Sequence, residues 1–304
     1  MKKLSMLWMG CALLCMPVRV AAQFWGNSER IVASKTIVNR EVQVGTFDKI
    51  CLTGSGDIEF TQAEGRRQVN LEISDNLEEV VEVKVKDGTL FFALKKGYSV
   101  SMSDGARMKL HVSAPMVESA VVNGSGDIVF RNGVSRRGGI SLTVNGSGDI
   151  DAGTLTCDEL NAAVTGSGDI EVNRAVAGSV NVAVTGSGDV KMDNASADEL
   201  SAAVNGSGDV EVRNIAADRV NGAVQGSGDV VLSGKCTEGH YSLTGSGDIS
   251  AASLKAKRVW ATARNSGDIS CYASDELYVN KRSRSSNIHC KGNPKKIHTA
   301  SGSR

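Results

Sequence analysis

The sequence repeats the tetrapeptide Gly-Ser-Gly-Asp, followed by Ile or Val, at a nearly constant spacing. The aspartates of the motif are Asp57, Asp127, Asp149, Asp169, Asp189, Asp209, Asp229 and Asp248, and Asp268 follows in a degenerate Asn-Ser-Gly-Asp. From Asp127 onward, successive aspartates are 22, 20, 20, 20, 20, 19 and 20 residues apart. A fixed period of this length is typical of a solenoid, in which each repeat forms one coil.

The residues between the motifs alternate between apolar and polar, which predicts β-strands. The apolar positions also recur from coil to coil and form columns. Three of these columns are Leu160, Val180, Leu200, Val220 and Val259; Val164, Val184, Val204, Val224 and Leu243; and Ile170, Val190, Val210, Val230, Ile249, Ile269 and Ile288. The Leu-x-x-Leu-x-Leu pattern of leucine-rich repeats is absent. The sequence therefore predicts an all-β fold, a right-handed parallel β-helix of ~20-residue coils over residues 121–290.

The segment 23–120 differs from the repeats that follow it. It contains a single Gly-Ser-Gly-Asp, although the alternation of apolar residues persists, and Asp87-Gly88 has the composition of a hairpin turn. We expect an irregular β cap with partly antiparallel strands, which would cover the N-terminal end of the stack. Residues 291–304 are predicted to form a basic C-terminal tail.

Residues 1–22 have the features of a secretory signal peptide. Lys2 and Lys3 precede a largely apolar stretch, and Val20-Ala21-Ala22 provides a small-residue cleavage site. A lipid anchor at Cys11 or Cys15 is disfavoured because the residues before each cysteine match a lipobox poorly. No other segment is apolar and long enough to span a membrane. The expected location is the periplasm, the outer membrane surface or the extracellular space.

Charge is balanced over the chain but unevenly distributed. There are 34 basic and 34 acidic side chains, yet residues 251–304 hold eleven basic and three acidic ones. That end carries about +8, and residues 23–250 carry about −11. This basic end could hold polyanions such as acidic polysaccharide or lipid headgroups, although a soluble cap is the favoured interpretation. A near-neutral exported chain argues against nucleic-acid binding.

Five cysteines remain after the signal peptide, and an odd number argues against a complete disulfide framework. Cys271 and Cys290 each lie three residues beyond the motif Asp or Asn, so they should stack on adjacent coils. Two buried thiols are the favoured interpretation and a disulfide is the alternative. The four histidines show no ligand spacing, and no metal site is predicted.

These features resemble the head GIN domain family, described as putative autotransporter adhesins of exported bacterial proteins. The resemblance rests on Thr46-Phe47-Asp48-Lys49-Ile50 before the first motif, on Asp87-Gly88-Thr89-Leu90, on Ala114-Pro115, and on the Gly-Ser-Gly-Asp series. It covers about residues 45–280 and implies a secreted β-helix-like protein. It brings no catalytic residue to any position of this chain.

Three interpretations of the repeated aspartate are open. In the first, Gly-Ser-Gly-Asp is a structural corner, in which glycine supplies unusual backbone angles and the Ser and Asp side chains bond N–H groups of the loop. In the second, the stacked aspartates bind cations such as calcium, although each coil offers one carboxylate where Ca²⁺ needs six to eight oxygens. In the third, the ladder is a recognition surface. The structural corner is favoured, and no cofactor is expected.

Trp260 is the best local candidate for contact with a sugar or an anion. It follows the inward Val259 and should therefore face outward, beside Lys257, Arg258 and Arg264. The leading functional hypothesis is an exported, non-enzymatic β-helix with adhesin-like binding or scaffolding at the cell envelope, whose partner is a polysaccharide or a surface protein. A self-associating envelope protein is the alternative. A polysaccharide-active enzyme ranks third, because no cluster of acids and bases stands out from the repeats.

Overall fold

The computed structural model describes residues 28–283 and 285–299. The predicted signal peptide, residues 1–22, lies outside the described residues. Within the described ranges the chain forms 26 β-strands and one short 3₁₀ helix, Asp75–Leu77. In this part of the chain, no helix has the length and apolar character needed to cross a membrane.

Nine strands precede the regular repeats. They are β1 (Glu29–Val32), β2 (Ile37–Glu41), β3 (Lys49–Gly54), β4 (Asp57–Gln62), β5 (Gln68–Ser74), β6 (Val81–Lys86), β7 (Thr89–Leu94), β8 (Tyr98–Ser101) and β9 (Met108–Ala114). β3 and β4 flank the first Gly-Ser-Gly-Asp. β1 and β2 precede β3, and β5 to β9 lie between the first and the second motif.

The remaining strands form the repeats. They are β10 (Ser119–Gly124), β11 (Ile128–Phe130), β12 (Val134–Ser135), β13 (Gly139–Val144), β14 (Ile150–Thr156), β15 (Glu159–Gly166), β16 (Ile170–Val176), β17 (Ser179–Gly186), β18 (Val190–Met192), β19 (Ala195–Val204), β20 (Val210–Val224), β21 (Val230–Leu243), β22 (Ile249–Ala263), β23 (Ile269–Cys271), β24 (Ala273–Lys281), β25 (Ile288–Cys290) and β26 (Lys296–Thr299). The longest of these, β20 to β22, bend around a corner and contribute to two sides of a coil.

Neighbouring coils pair in parallel, so the predicted solenoid is confirmed. We call the strand segments that lead into the motif the pre-motif sheet, and those that follow it the post-motif sheet. The predicted apolar columns are in Cα register and buried: Leu160 lies against Val180 and Val180 against Leu200, each with no exposed surface.

The inward column that contains Val220 and Val259 is interrupted by Gly239, at a position where the neighbouring coils carry Leu or Val. The reason is Tyr241, whose ring points into the core and is only 2% exposed. A Cβ at Gly239 would lie 2.6 Å from the Tyr241 hydroxyl, too close for any side chain. A large ring in the core is thus accommodated by removing a side chain from the same strand.

The first motif belongs to the stack although it is 70 residues from the second. β3 pairs in parallel with β10, and Gly54 lies opposite Gly124. On its other side, β3 pairs in parallel with β7, and β4 pairs in parallel with β9. The coil that carries Asp57 is therefore an inner coil, and the chain between β4 and β10 folds as an insertion at the N-terminal end.

Antiparallel strands close this end, as the sequence predicted for an irregular β cap. β5 pairs antiparallel with β9, and β2 pairs antiparallel with β5. β6 pairs antiparallel with β7 through the Asp87-Gly88 turn. Both sheets of the solenoid thus change from parallel to antiparallel pairing at the cap, and the short pair β1–β8 lies apart from them.

The glycines of the motif are required mainly because adjacent coils approach each other closely at the corner. A Cβ at Gly188 would lie 2.0 Å from the carbonyl oxygen of Gly168, and the same clash recurs at the corresponding glycine of most coils. Unusual backbone angles contribute less than the sequence suggested: within the motifs, only Gly54, Gly166 and Gly186 have a positive φ. The corner is therefore specified by the absence of side chains between two backbones.

Gly188→Ala should destabilise the protein by about 3 kcal/mol or more, because two backbones must separate to admit the methyl group. The measurement is the free energy of unfolding in a urea titration. Ser187→Ala is the matched control, since Ser187 is exposed in the same corner and should change stability by less than about 0.5 kcal/mol. Equal effects of the two substitutions would contradict the close-approach explanation.

Candidate functional site

The motif aspartates form a hydrogen-bonded ladder along the corner. The backbone N–H of each aspartate donates to Oδ1 of the aspartate one coil earlier, at 2.7–2.9 Å along the seven bonds from Asp127 to Asp268. The ladder begins more weakly, with 3.3 Å between the Asp127 nitrogen and Asp57. It ends at Asn287, whose nitrogen donates to Asp268 at 2.6 Å.

These bonds join successive coils, whereas turn chemistry led us to expect bonds within each loop. The difference arises because the closely approaching backbones place the next N–H directly beside the carboxylate. A hydrogen bond to a charged acceptor is about twice as strong as one between neutral groups. It therefore helps to offset the repulsion between carboxylates that lie about 4.8 Å apart in neighbouring coils.

Each carboxylate keeps its second oxygen free of these backbone bonds. Within the described ranges, no group of three or more His, Cys, Asp or Glu side chains is arranged to hold a metal ion. Cation binding at the ladder stays an open alternative to the favoured structural corner. Recognition through the corner also stays open, and the serines of the motif are exposed there.

Trp260 belongs to a stack of four aromatic rings, which we call the aromatic ladder: His240, Trp260, Tyr278 and His298. The ring centroids are separated by 4.4 Å, 5.0 Å and 4.3 Å, and neighbouring planes are within 8° of parallel. Trp260 points away from the core, as expected, but His240 and Tyr278 cover its two faces. Contact of Trp260 with a sugar or an anion stays a prediction, and the stacked neighbours leave the edge of the ring, not its faces, for such a contact.

The histidines of the aromatic ladder show no metal-ligand spacing, but they share the period of the coils. The spacing from His240 to Trp260, to Tyr278 and to His298 is 20, 18 and 20 residues, close to one coil each time. The period of the outward-facing residues, like that of the inward-facing ones, therefore predicts that these four rings stack. Burial lowers the pKa of His240, which favours the uncharged form of this ring.

A column of alternating charge runs beside the aromatic ladder, two residues earlier in each strand. Its members are Glu199, Arg219, Glu238, Arg258, Glu276 and Lys296. Glu238 contacts Arg258 at 2.6 Å and Arg219 at 3.4 Å. Burial opposes ionisation of Glu238, but His240 and these two arginines outweigh it and lower its pKa.

The predicted cations therefore do not form one patch. Arg258 lies beside Trp260 but is paired with Glu238. Lys257 lies at the adjoining corner, near Asp275. Arg264 follows Trp260 by four residues, or about 13 Å along the strand, at the opposite edge of the pre-motif sheet.

A second charged cluster, absent from the sequence-based predictions, joins the cap to the solenoid. Glu59, only 15% exposed, contacts Lys109 at 2.6 Å, Arg131 at 2.5 Å and His111 at 3.4 Å, and His111 also contacts Glu72 at 2.9 Å. The hydrogen bonds from Arg131 and then Lys109 outweigh burial and lower the pKa of Glu59 to about 2. This cluster depends on β9 lying next to β4, a pairing created by the insertion.

All five cysteines in the described chain are free thiols. Cys271 and Cys290 are Cα partners on adjacent coils, as predicted, and no disulfide joins them in this structure. Burial raises the pKa of Cys236 and of Cys271 to about 12 each, so these two thiols are protonated and poor nucleophiles.

The sequence profile of the family described as "Putative auto-transporter adhesin, head GIN domain" matches residues 46–230 and 196–294. No curated protein sequence matches the chain. The match to the family covers well over half of the residues, including every Gly-Ser-Gly-Asp motif.

Several solved structures are similar to this chain. A "putative adhesin" from Parabacteroides merdae ATCC 43184 aligns with a TM-score of 0.63 at 15% identity, over 90% of this chain and 99% of that one. A "putative adhesin" from Parabacteroides distasonis ATCC 8503 gives 0.50 at 18% identity, over 90% and 100%. A "putative lipid binding protein" from the latter strain gives 0.46 at 23% identity, over 90% and 98%. The first two support a common fold.

Trp260→Ala should destabilise the protein by about 1–3 kcal/mol, because it removes two stacked ring pairs worth about 0.5–1.5 kcal/mol each. Thr262→Ala, two residues along the same outward face, is the control and should change stability by less than about 0.5 kcal/mol. Urea unfolding followed by far-UV circular dichroism measures both. A Trp260→Ala protein as stable as the parent would show that the aromatic ladder contributes nothing to the fold.

Glu59→Gln should destabilise the protein by about 1–3 kcal/mol at pH 7, because it removes charge-assisted hydrogen bonds. The pKa of Glu59 is lower in the folded protein, at about 2, than its ordinary value of 4.5. Its contribution is therefore complete above pH 4.5 and is lost as the pH falls toward 2. Unfolding titrations across this range should show the two proteins converge. The exposed Glu64 provides the control: Glu64→Gln should show no such convergence.

Proposed function

We propose a binding function for this chain, which belongs to the family of "putative auto-transporter adhesins" with a head GIN domain. The protein acts as an exported, non-enzymatic adhesin-like or scaffolding protein at the bacterial cell envelope or surface. It holds an extended or repetitive partner, a polysaccharide or a surface protein, along the outer face of the pre-motif sheet.

The observation that carries this proposal is the repetition of outward side chains in register over successive coils. Asn161 lies beside Asn181, and the Asn181 amide donates to it at 3.1 Å. Ser201 and Asn221 continue the same column, which leads into the aromatic ladder. A straight face whose chemistry recurs about every 4.8 Å presents the same contacts many times to an elongated ligand.

The N-terminal sequence supports the proposed location. A positive start, an apolar stretch and a small-residue cleavage site in residues 1–22 direct a chain to export. The family description, which names an adhesin, supports action at a surface rather than catalysis.

Self-association is the second candidate, and the distribution of charge favours it. Residues 251–304 carry about +8 and residues 23–250 about −11, by the counts given above. Two copies lying antiparallel would place the basic end of each beside the acidic body of the other, and this attraction would weaken with salt.

The purified chain from residue 23 to residue 304 should bind saturably to one class within a panel of immobilised polysaccharides and surface proteins. Biolayer interferometry, with calcium and with chelator, measures binding, and loss with chelator would support a cation ladder. Sedimentation velocity on the same preparation reports the oligomeric state. A folded, monomeric protein that binds nothing would contradict the proposal, and salt-sensitive oligomers without ligand binding would favour the structural alternative.

A further inference from the structure

The position just before each Gly-Ser-Gly corner changes its chemistry in the last coils. It is exposed in every coil and carries uncharged side chains over eight of them, namely Thr53, Asn123, Asn145, Thr165, Thr185, Asn205, Gln225 and Thr244. The next two coils place Arg264 and Arg282 there. Backbone hydrogen bonds hold them in this column: the Arg264 nitrogen donates to Leu243 at 3.0 Å, and the Arg282 nitrogen to Ala263 at 2.9 Å.

These cations lack the acidic partners found at the other edge of the sheet. Within residues 28–283 and 285–299, neither Arg264, Arg282 nor Lys281 lies within 4.0 Å of a carboxylate, and all three are exposed. At the opposite edge, Lys295 pairs with Asp275 at 2.8 Å and Lys296 with Glu276 at 3.8 Å. We call Arg264 and Arg282 the basic corner; Lys281 is in register with the buried Ala263 and belongs to the inward column, so it is not part of this corner. Two guanidinium groups in adjacent coils repel each other, and an anion placed between them removes that repulsion.

The outward column next to the basic corner carries hydroxyl and amide groups. It comprises Ser242, Thr262 and Asn280, each on the strand that leads into the corner. Asn280 also accepts a hydrogen bond from Nε of Arg282 at 3.5 Å. Cations and neutral hydrogen-bonding groups therefore run side by side along the solenoid axis.

We propose that the basic corner binds the carboxylate groups of a linear acidic polysaccharide, whose hydroxyl groups contact Ser242, Thr262 and Asn280. This inference rests on the proposed binding function and identifies its ligand class. Arginine pairs with carboxylates in a bidentate manner, and the axial arrangement suits a chain with repeated charges. A membrane surface fits less well, because none of the prominently exposed large hydrophobic residues, Val32, Met102, Met116 and Ile297, belongs to this corner.

The test compares two double variants, each of which removes two positive charges, from opposite edges of the sheet. One is R264Q with R282Q, in the basic corner, and the other is K295Q with K296Q, at the paired edge. The full chain from residue 23 is titrated with polygalacturonate, with a neutral galactan, and with vesicles containing phosphatidylglycerol. The R264Q/R282Q protein should bind polygalacturonate at least about tenfold more weakly, while the K295Q/K296Q protein should bind within about twofold of the parent. Parent binding should weaken between 0.05 and about 0.5 M salt.

The outcomes separate this inference from the proposed function. Equal weakening in both variants would show a net-charge effect and overturn the site. Equal affinity for neutral galactan, or binding to vesicles in place of polygalacturonate, would overturn the ligand class and leave the binding function standing. Failure of the parent to bind any member of the wider panel, while folded, would overturn both. Circular dichroism of each variant confirms the fold, and these exposed substitutions should leave it unchanged.

Discussion

The contact between successive backbones at the Gly-Ser-Gly-Asp corner determines the rest of this structure. From Gly126 onward, the second glycine of the motif lies against the carbonyl of the equivalent glycine one coil earlier, leaving no space for a Cβ. That proximity brings the following N–H within reach of the carboxylate of the preceding coil. Both contacts are satisfied only when the coils are in one register, and a strand shifted by a single residue would turn its apolar side chains to solvent.

Fixed register explains why columns of like residues dominate both surfaces of the sheets. In the interior they are aliphatic, so each side chain packs on one of similar shape above and below it. On the exterior the same geometry produces amide pairs, the alternating charges around Glu238, and the aromatic ladder. A parallel stack gives each outward side chain two neighbours at about 4.8 Å, which favours planar groups and opposite charges.

Much of the column arrangement could be predicted from the sequence. The length of a coil and the alternation of inward and outward residues along a strand together determine which residues become neighbours. The inward columns through Leu200 and Val210, the outward direction of Trp260 and the adjacency of Cys271 and Cys290 all followed from counting. The same coil period, applied to the outward polar residues, also predicts that neighbouring rings cover Trp260 and that Arg258 lies beside Glu238. The Glu59 cluster could not be found in this way, since it depends on an insertion whose strands have no fixed spacing from the repeats.

The hydrogen-bonded ladder has a direction, and this bears on how such a protein can change its length. Every interior coil must offer a carboxylate to the coil after it and an N–H to the coil before it, whereas the last member, Asn287, only donates. At this corner, each interior coil therefore presents the same junction on both sides. Duplication or loss of one coil during evolution would leave the hydrogen bonds of the remaining corners unchanged and alter the length of the molecule by about 4.8 Å. The length of the proposed binding face can therefore change by whole coils while the terminal coils stay constant.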